Sequence, residues 1–184
     1  MNPRALHRRI SPWAGFVLAA AISFAPTPSA LAQSEEGIKA AFIYNFAKFT
    51  LWPARAFPDA NAPLAVGFVG ADSMADLFEQ NVTGKNANGR DFAVKKLTGP
   101  AGAEACQIVF VGDPAQSAAT VAAEKGKPVL PVGSSDRFAA AGGMINFIKD
   151  GAKVTFDLDL GAIGGAGLSL DPKVCQLARK TKGG

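Results

Sequence analysis

The chain contains only one histidine, His7, and two cysteines, Cys106 and Cys175, among its 184 residues. Nucleophilic hydrolases of the Ser-His and Cys-His types need a histidine base, and zinc sites need several histidine or cysteine ligands. His7 lies in a segment that we expect to be removed. These absences argue against an enzyme of the common secreted classes, and we expect no catalytic residue, no metal site and no cofactor.

The first 32 residues have the features of an export signal. An uncharged apolar run from Trp13 to Phe24 follows three basic residues, and it is too short to span ~30 Å of hydrocarbon. The segment ends with the small residues Ala30 and Ala32, which suit a signal peptidase. We therefore expect a signal peptide over 1–32, cleavage after Ala32, a periplasmic protein, and a single domain over 33–184 without a transmembrane span.

This cleavage changes the charge balance. The whole chain has 19 Lys+Arg against 15 Asp+Glu and a net charge of +4. Removal of Arg4, Arg8 and Arg9 leaves 16 basic against 15 acidic residues, and His7 is lost with them. A near-neutral domain without a basic cluster is not typical of a nucleic-acid-binding protein.

Helical and apolar extended segments alternate along the rest of the chain. Predicted helices cover Glu35–Trp52, Met74–Gln80, Ala115–Lys125, Asp136–Ala141 and Pro172–Lys180, the last capped by Asp171. Predicted strands cover Leu64–Val69, Phe92–Leu97, Ile108–Val111, Val129–Val132, Met144–Ile148 and Lys153–Leu160. The pattern predicts a three-layer α/β sandwich, with a mostly parallel sheet between helices that ends in an antiparallel hairpin at Asp150-Gly151.

The first predicted helix is apolar on nearly all sides. One stripe comprises Ile38, Phe42, Phe46 and Phe49, and we expect it to face the core. Asn45 falls inside this stripe, so we expect it to be buried and bonded to a neighbouring backbone. The opposite side needs cover too, from another helix of the chain, from a partner protein or from a second copy in a homodimer. The candidate partner-binding residues are Ile43, Tyr44, Ala47, Lys48, Leu51 and Trp52.

Three glycine-containing loops suggest a weaker alternative, a small-molecule binding module. The loops follow predicted strands, at the sheet edge where open α/β proteins usually hold ligands. Their candidate ligand-binding residues are Gly70, Asp72, Gly112, Asp113 and Ser134, with Gly133 beside them. The favoured interpretation is structural, because sharp strand exits need glycine and helix starts need Asp or Ser caps.

Two further pairs of residues need an interpretation. Asp157 and Asp159 alternate along one strand and so share a face, either as a solvated edge or as a pair of acidic catalytic groups. The alternation of apolar and acidic residues along this strand favours the solvated edge. Cys106 and Cys175 either form a disulfide or are buried as small apolar residues, and burial is favoured.

The residues of the first helix also carry a resemblance. Lys39-Ala40-Ala41-Phe42-Ile43-Tyr44-Asn45-Phe46-Ala47-Lys48-Phe49, followed by Trp52-Pro53, resembles the opening helix of the YfiR-like periplasmic family. Further matching landmarks are Val69-Gly70, Asn88-Gly89-Arg90, Cys106 to Val111, Gly142 to Ile145, Val154-Thr155-Phe156 and Ala166-Gly167-Leu168.

The resemblance implies an exported regulatory protein that is not an enzyme. It would dock on the periplasmic part of an inner-membrane diguanylate cyclase or sensor histidine kinase and restrain it, with cyclic di-GMP signalling as the downstream effect. The chain departs from the family pattern at Asp159, where asparagine is common, and at Asp171 to Cys175. It also lacks paired cysteines at the late hairpin, which the best-known relative uses for redox control, so redox regulation does not follow from the resemblance.

Overall fold

Six α-helices, three short 3₁₀-helices and ten strands lie in the part of the protein described by a computed structural model, residues 34–151 and 153–183. The helices are α1 Glu35–Phe49, α2 Asp72–Val82, α3 Ser117–Glu124, α4 Asp136–Ala140, α5 Leu160–Gly165 and α6 Pro172–Leu177. The strands are β1 Thr50–Leu51, β2 Leu64–Val69, β3 Asn86–Ala87, β4 Arg90–Leu97, β5 Ile108–Val111, β6 Leu130–Gly133, β7 Ile145–Asp150, β8 Lys153–Asp159, β9 Ser169–Leu170 and β10 Lys180–Lys182. The predicted signal peptide and its cleavage site after Ala32 lie outside the described residues.

Eight strands form the central sheet, in the order β10-β8-β7-β6-β5-β2-β4-β3. Neighbours are parallel except for two antiparallel pairs, β7 with β8 and β3 with β4. The β7-β8 pair is the predicted hairpin, with Asp150 opposite Lys153 and Gly151 in the turn at a φ of +59°. A separate two-stranded sheet joins β1 to β9. The structure confirms the predicted α/β fold with its mostly parallel sheet.

Side chains of the strands alternate between two hydrophobic clusters, one on each face of the sheet. On β2, for example, Val66 and Phe68 enter the first cluster, whereas Ala65 and Val69 enter the second. Helices α1, α2, α5 and α6 contribute to the first cluster, and Phe138 of α4 and Val121 of α3 to the second. We call these sides the first face and the second face.

The first and the last helix each end three residues earlier than predicted, and the ends of the other predicted helices differ by one or two residues. The first helix stops at Phe49 rather than Trp52, because Thr50 is extended and pairs with Leu170 of β9. The last helix stops at Leu177 rather than Lys180, and the following residues join the sheet as β10, parallel to β8. Its predicted cap is confirmed, since the Asp171 carboxylate accepts a hydrogen bond from the Lys173 amide.

Helix α1 is rotated relative to the predicted orientation. Its fully buried residues are Ala40, Ile43, Phe46 and Ala47, whereas Phe42 and Phe49 are half-buried. The expectation that Asn45 is buried is wrong, since its side chain is exposed. A helix that is apolar all round leaves its rotation to the shape of its neighbours, here the sheet and α2, rather than to its own periodicity.

Candidate functional site

The chain itself covers much of the second side of α1. Ile43 and Ala47 have no exposed surface and belong to the first-face cluster with Ala75 and Phe78 of α2. These two residues therefore cannot touch a partner protein in this fold, and their assignment as contact residues is wrong. Of the three covers considered for this side, the structure shows that the same chain provides the main one.

Tyr44 is half-buried at the border of this packing. Its ring centre lies 5.8 Å from that of Phe92, and the Lys85 ammonium stands 5.1 Å above its face. These contacts hold the ring against β4, so that only part of Tyr44 is open to a partner.

The end of α1 is held by side-chain and backbone donors from two other segments. The Asn88 amide donates to the carbonyls of Ala47, at 3.4 Å, and Thr50, at 3.2 Å. The backbone N–H of Asp171 donates to the Phe49 carbonyl at 2.9 Å. Since the last carbonyls of a helix otherwise lack partners, these bonds fix the direction in which the chain leaves α1.

The Asn88-Gly89 step can approach α1 because of its backbone conformation. Both residues have positive φ, 53° and 76°, as in the type I′ turns that close two-residue hairpins between antiparallel strands such as β3 and β4. Next in the chain, the Arg90 guanidinium stacks 3.7 Å from the Phe57 ring centre and donates to the Ala62 carbonyl. The turn thus ties the end of α1 to the edge of the large sheet.

On this support, Leu51 projects into solvent. Thr50 of β1 is buried, and the alternation of a strand then turns Leu51 outwards, with 66% of its surface exposed. Trp52 is half-buried against the first-face cluster and Lys48 is exposed. We call Tyr44, Lys48, Leu51 and Trp52 the α1-end surface, which retains four of the six predicted contact residues.

Leu177 extends this surface, and sequence reasoning missed it. Within the described ranges, Leu51 and Leu177 are the large hydrophobic residues classed as exposed, and Leu177 has 64% of its surface open. Each borders a small cleft that also includes Phe49: one of about 380 Å³ next to Leu51, and one of about 110 Å³ next to Leu177. Both clefts therefore adjoin Phe49 at the end of α1. In the sequence, the feature that could have indicated Leu177 is its position in the last turn of a short C-terminal helix.

Basic side chains border this apolar area. Lys48 lines the first cleft and Lys173 the second, and the Lys48 ammonium lies 5.6 Å from the Phe49 ring centre. Asp171 also lines the first cleft, so the border carries both charges, and the apolar area suits a partner surface with an apolar centre and a polar rim.

The predicted glycine loops pack against each other. Loops after β2, β5 and β6 do lie along one sheet edge, as expected for adjacent parallel strands. A Cβ on Gly70 would stand 2.8 Å from the Asp113 Cβ, and one on Gly112 would stand 2.6 Å from the Ala71 Cβ. A Cβ on Gly133 would meet the Phe138 ring at 2.3 Å. The chain itself fills the space that a ligand would need between these glycines.

The polar residues of these loops serve local structure. The Asp113 carboxylate accepts from the Ala115 amide at 2.8 Å, and Asp72 is the first residue of α2. Ser134 is half-buried and precedes Ser135, whose hydroxyl accepts from the Phe138 amide as the cap of α4. These contacts favour the structural interpretation of the loops.

Asp157 and Asp159 are each engaged by a basic residue of the C-terminal segment. The Arg179 guanidinium makes a two-point contact with Asp157, at 2.9 and 2.6 Å, and this contact raises the pKa of Arg179. Asp159 caps α5 through the Ala162 amide and lies 3.3 Å from the Lys182 ammonium. Both carboxylates therefore hold β10 on the sheet, which favours the solvated-edge interpretation over a catalytic pair.

The two cysteines do not form the disulfide that was considered. Both are free thiols in the part of the chain that the structure describes. Cys106 is buried in the second-face cluster, where burial raises its pKa to about 11, whereas Cys175 packs against the first-face cluster. The sheet separates them, so the disulfide alternative is wrong and burial as small apolar residues is the better interpretation.

Comparison with known proteins identifies the family of the chain. The YfiR/HmsC-like family model matches residues 36–179. The chain belongs to the YfiR/HmsC-like family. This family is periplasmic and regulatory rather than catalytic, and membership is consistent with a periplasmic regulator of cyclic di-GMP signalling.

Other comparisons add little to this assignment. No curated protein matches the chain. A conserved domain protein from Vibrio cholerae O1 biovar El Tor, known from its crystal structure, is similar at 12% identity and a TM-score of 0.48. The similarity covers 65% of this chain and 55% of that protein, so the chain spans little more than half of its length.

Residues 34–151 and 153–183 lack two features that would bear on the site. None of their helices has the length and apolarity that crossing a membrane requires. The same residues contain no group of three or more His, Cys, Asp or Glu side chains arranged to hold a metal ion.

Proposed function

We propose that this protein is an exported regulatory protein that docks, through the α1-end surface and Leu177, on the periplasmic part of an inner-membrane signalling protein and restrains it. The signalling protein is a diguanylate cyclase or a sensor histidine kinase. The observation that carries the proposal is the exposure of Leu51 and Leu177, each beside a cleft that includes Phe49, at the end of a helix that Asn88 and Asp171 hold in place. Family membership supports the class of partner.

Exposing these two leucine side chains to water costs free energy that a partner can recover. Burying a leucine side chain is worth about 1.5–3 kcal/mol, and a partner gains most of this when the surface is already ordered before binding. The hydrogen bonds to the carbonyls of Ala47, Phe49 and Thr50 provide that order. A partner that binds only the inactive state of a membrane protein shifts its population towards that state, so restraint requires no chemistry.

The test is a charge introduced at the centre of the surface. Leu51→Asp places an unpaired carboxylate where the partner must exclude water, so we expect loss of co-purification with the membrane protein and a rise in cellular cyclic di-GMP if the partner is a cyclase. Ala119→Asp on the exposed side of α3 is the matched control and should behave like the unchanged protein. Circular dichroism and thermal unfolding check that both variants fold.

Three outcomes would contradict the proposal. In the first, folded Leu51→Asp captures the same membrane protein as the unchanged chain. In the second, the chain captures neither a cyclase nor a kinase from solubilised membranes. In the third, light scattering shows a dimer that Leu51→Asp dissociates, which would assign the surface to a second copy of this chain.

A further inference from the structure

A cleft of about 580 Å³ lies between α3 and α5 and shares no wall residue with the α1-end surface. Its volume is in the range of small-molecule sites, which are concave and mostly apolar with few polar groups. None of its wall residues was among the predicted site residues. The wall residues that carry the argument are Val121, Ala122, Lys125, Pro131, Met144 and Ala162.

The pairing of the sheet explains why there is space here. Strand β6 pairs with β7 only through Val132 and Gly133, so among the described strands none lies beside the first half of β6 on that side. Pro131 stands in this unpaired half, and proline suits such a position because it has no N–H to leave unbonded. The wall opposite includes the small residues Ala162 and Gly165 of α5.

Helix α3 presents two stripes of side chains to different surroundings. Its buried stripe faces the protein interior and consists of Ser117, Thr120 and Glu124. Its other stripe lines the cleft and has the helical spacing i, i+3, i+4 and i+7, with Ala118, Val121, Ala122 and Lys125. Lys125 therefore continues the apolar stripe of the cleft at the end of the helix.

The wall contains two residues with ionisable side chains, and they differ in access to the cleft. Glu124 has 1% of its surface exposed, and its carboxyl oxygens are buried. The charged neighbours of Glu124 are Glu104 and Lys127, which lie outside the cleft wall, and burial raises its pKa, which disfavours the charged form. A ligand in the cleft therefore does not reach this carboxyl group.

Lys125 offers the accessible charge. The residue is exposed, and its ammonium group makes no hydrogen bond or ion pair with the rest of residues 34–151 and 153–183. Lys127, two residues further along the same loop, is exposed as well and adds a second positive charge. An apolar cleft with an unpaired cation at its end is complementary to a molecule with an apolar body and an anionic head.

We propose that this cleft binds a small carboxylate with an apolar body, whose carboxylate group pairs with the Lys125 ammonium. The apolar body packs against Val121, Pro131 and Met144. Burial of apolar surface supplies most of the affinity, and the ion pair, which is exposed, mainly selects the charge of the head group. The site is separate from the docking proposed above, and either can fail without the other.

Three probes that differ only in the head group test this proposal: 4-phenylbutyrate, 4-phenylbutan-1-ol and 4-phenylbutylamine. Each is titrated into the ¹⁵N-labelled protein, and the amide resonances of Gly126, Gly142 and Gly165 in the cleft wall are followed. We expect saturable shifts with the carboxylate, about three- to fivefold weaker binding of the alcohol, and still weaker binding of the amine. No shift with millimolar carboxylate, or binding of the amine as tight as that of the carboxylate, would overturn the proposal.

A lysine variant tests the role of the charge. Lys125→Gln keeps most of the apolar stem but removes the cation, and the carbonyl end of α3 disfavours an anion, so the carboxylate should bind no more tightly than the alcohol. Lys127→Gln, exposed on the same loop but outside the cleft wall, is the matched control and should keep the preference for the carboxylate. A preference that survives in Lys125→Gln would overturn the role of Lys125.

A second pair of variants locates the apolar body. Ala122→Trp fills the cleft from an exposed position and leaves Lys125 intact, so it should abolish binding of the carboxylate. Ala119→Trp, exposed on α3 but outside the cleft wall, is its matched control and should bind the carboxylate normally. Circular dichroism checks that both variants fold, and binding by folded Ala122→Trp as by the unchanged protein would overturn the assignment of the cleft.

Discussion

The two faces of the sheet are built from different side chains. On the first face, rings contact one another in a chain, with Phe46 centred 5.0 Å from Phe156 and 5.8 Å from Phe147. On the second face, Phe138 is the one aromatic residue in the cluster among the described residues, and the rest are small aliphatic side chains with Cys106. Aromatic rings bury more area and orient one another, so we expect the first face to be the more rigid support.

The two faces also differ in which of their polar groups have hydrogen-bond partners. At the end of α1 the carbonyls of Ala47, Phe49 and Thr50 receive donors, although the Thr50 hydroxyl and the Trp52 indole N–H remain without partners in the described ranges. Under α3 the unpartnered groups include a carboxyl group. The comparison indicates that the first face supplies a fixed docking platform, whereas among the described residues the helix α3 on the second face buries a carboxyl group without a hydrogen-bond partner.

Phe46→Ala has the largest expected effect. The side chain has no exposed surface and contacts three other rings, so its removal should cost about 3–5 kcal/mol of unfolding free energy. Phe138→Ala, also fully buried, should cost less because its ring packs on glycine backbone rather than on other rings. Urea unfolding measures both, and a smaller loss of unfolding free energy for Phe46→Ala than for Phe138→Ala would contradict the expected difference between the two faces.

Gly133→Ala tests how tightly the second face is closed beside α4. The new methyl group would stand 2.3 Å from the Phe138 ring, so we expect a loss of about 1–3 kcal/mol from overpacking. Gly164→Ala in α5 is the matched control, because a Cβ there meets nothing within 4 Å and alanine favours a helix. If the two variants unfold at the same denaturant concentration, the contact between Gly133 and Phe138 is not a constraint.

Glu124→Gln should stabilise the protein most at neutral and higher pH. Burial raises the pKa of Glu124 in the folded state, so its carboxyl group opposes folding once the pH exceeds its unfolded value near 4.5. The gain from the variant should therefore grow from pH 4 to pH 8. Exposed Glu79→Gln serves as the control, and a gain that is independent of pH would mean that Glu124 is solvated.

Glu35→Gln has the smallest expected effect. The Lys39 and Lys149 ammonium groups lower the pKa of Glu35 to about 2, from 4.5, so the pair stabilises the fold above pH 4.5 and loses this as the pH falls towards 2. Because the carboxylate is 36% exposed, solvent screening limits the effect to a few tenths of a kcal/mol. Thermal unfolding at pH 6 and pH 2.5 measures it, and an effect that grows at pH 2.5 would contradict the ion pairs.

The buried strands were predictable from sequence because their signal is local. Strands β2 and β5 have the predicted bounds, since each is a continuous apolar run ended by glycine. Strand β10 was not predictable: its Lys-Thr-Lys sequence is polar, and it pairs with β8 at the edge of the sheet, beside the ion pairs of Asp157 and Asp159. Apolar periodicity identifies a strand only where the strand has a buried face.

The candidate site was only partly predictable for a related reason. The sequence indicates that α1 needs cover on two sides, but the rotation that buries Ile43 and exposes Asn45 depends on α2 and β8. Spacing alone places Ser117, Thr120 and Glu124 on one side of α3 without indicating that this side is buried. For α1 and for α3, contacts between segments that are distant in the sequence decide which side of the helix is buried.

The most direct test of the proposed docking is photo-crosslinking from a photoreactive residue at position 51, with the same residue at position 119, on the other face, as the control. The account predicts that light links position 51 in living cells to a single inner-membrane cyclase or kinase and that position 119 gives no such product. Equal products from the two positions, or a product at 51 that contains only a second copy of this chain, would contradict it.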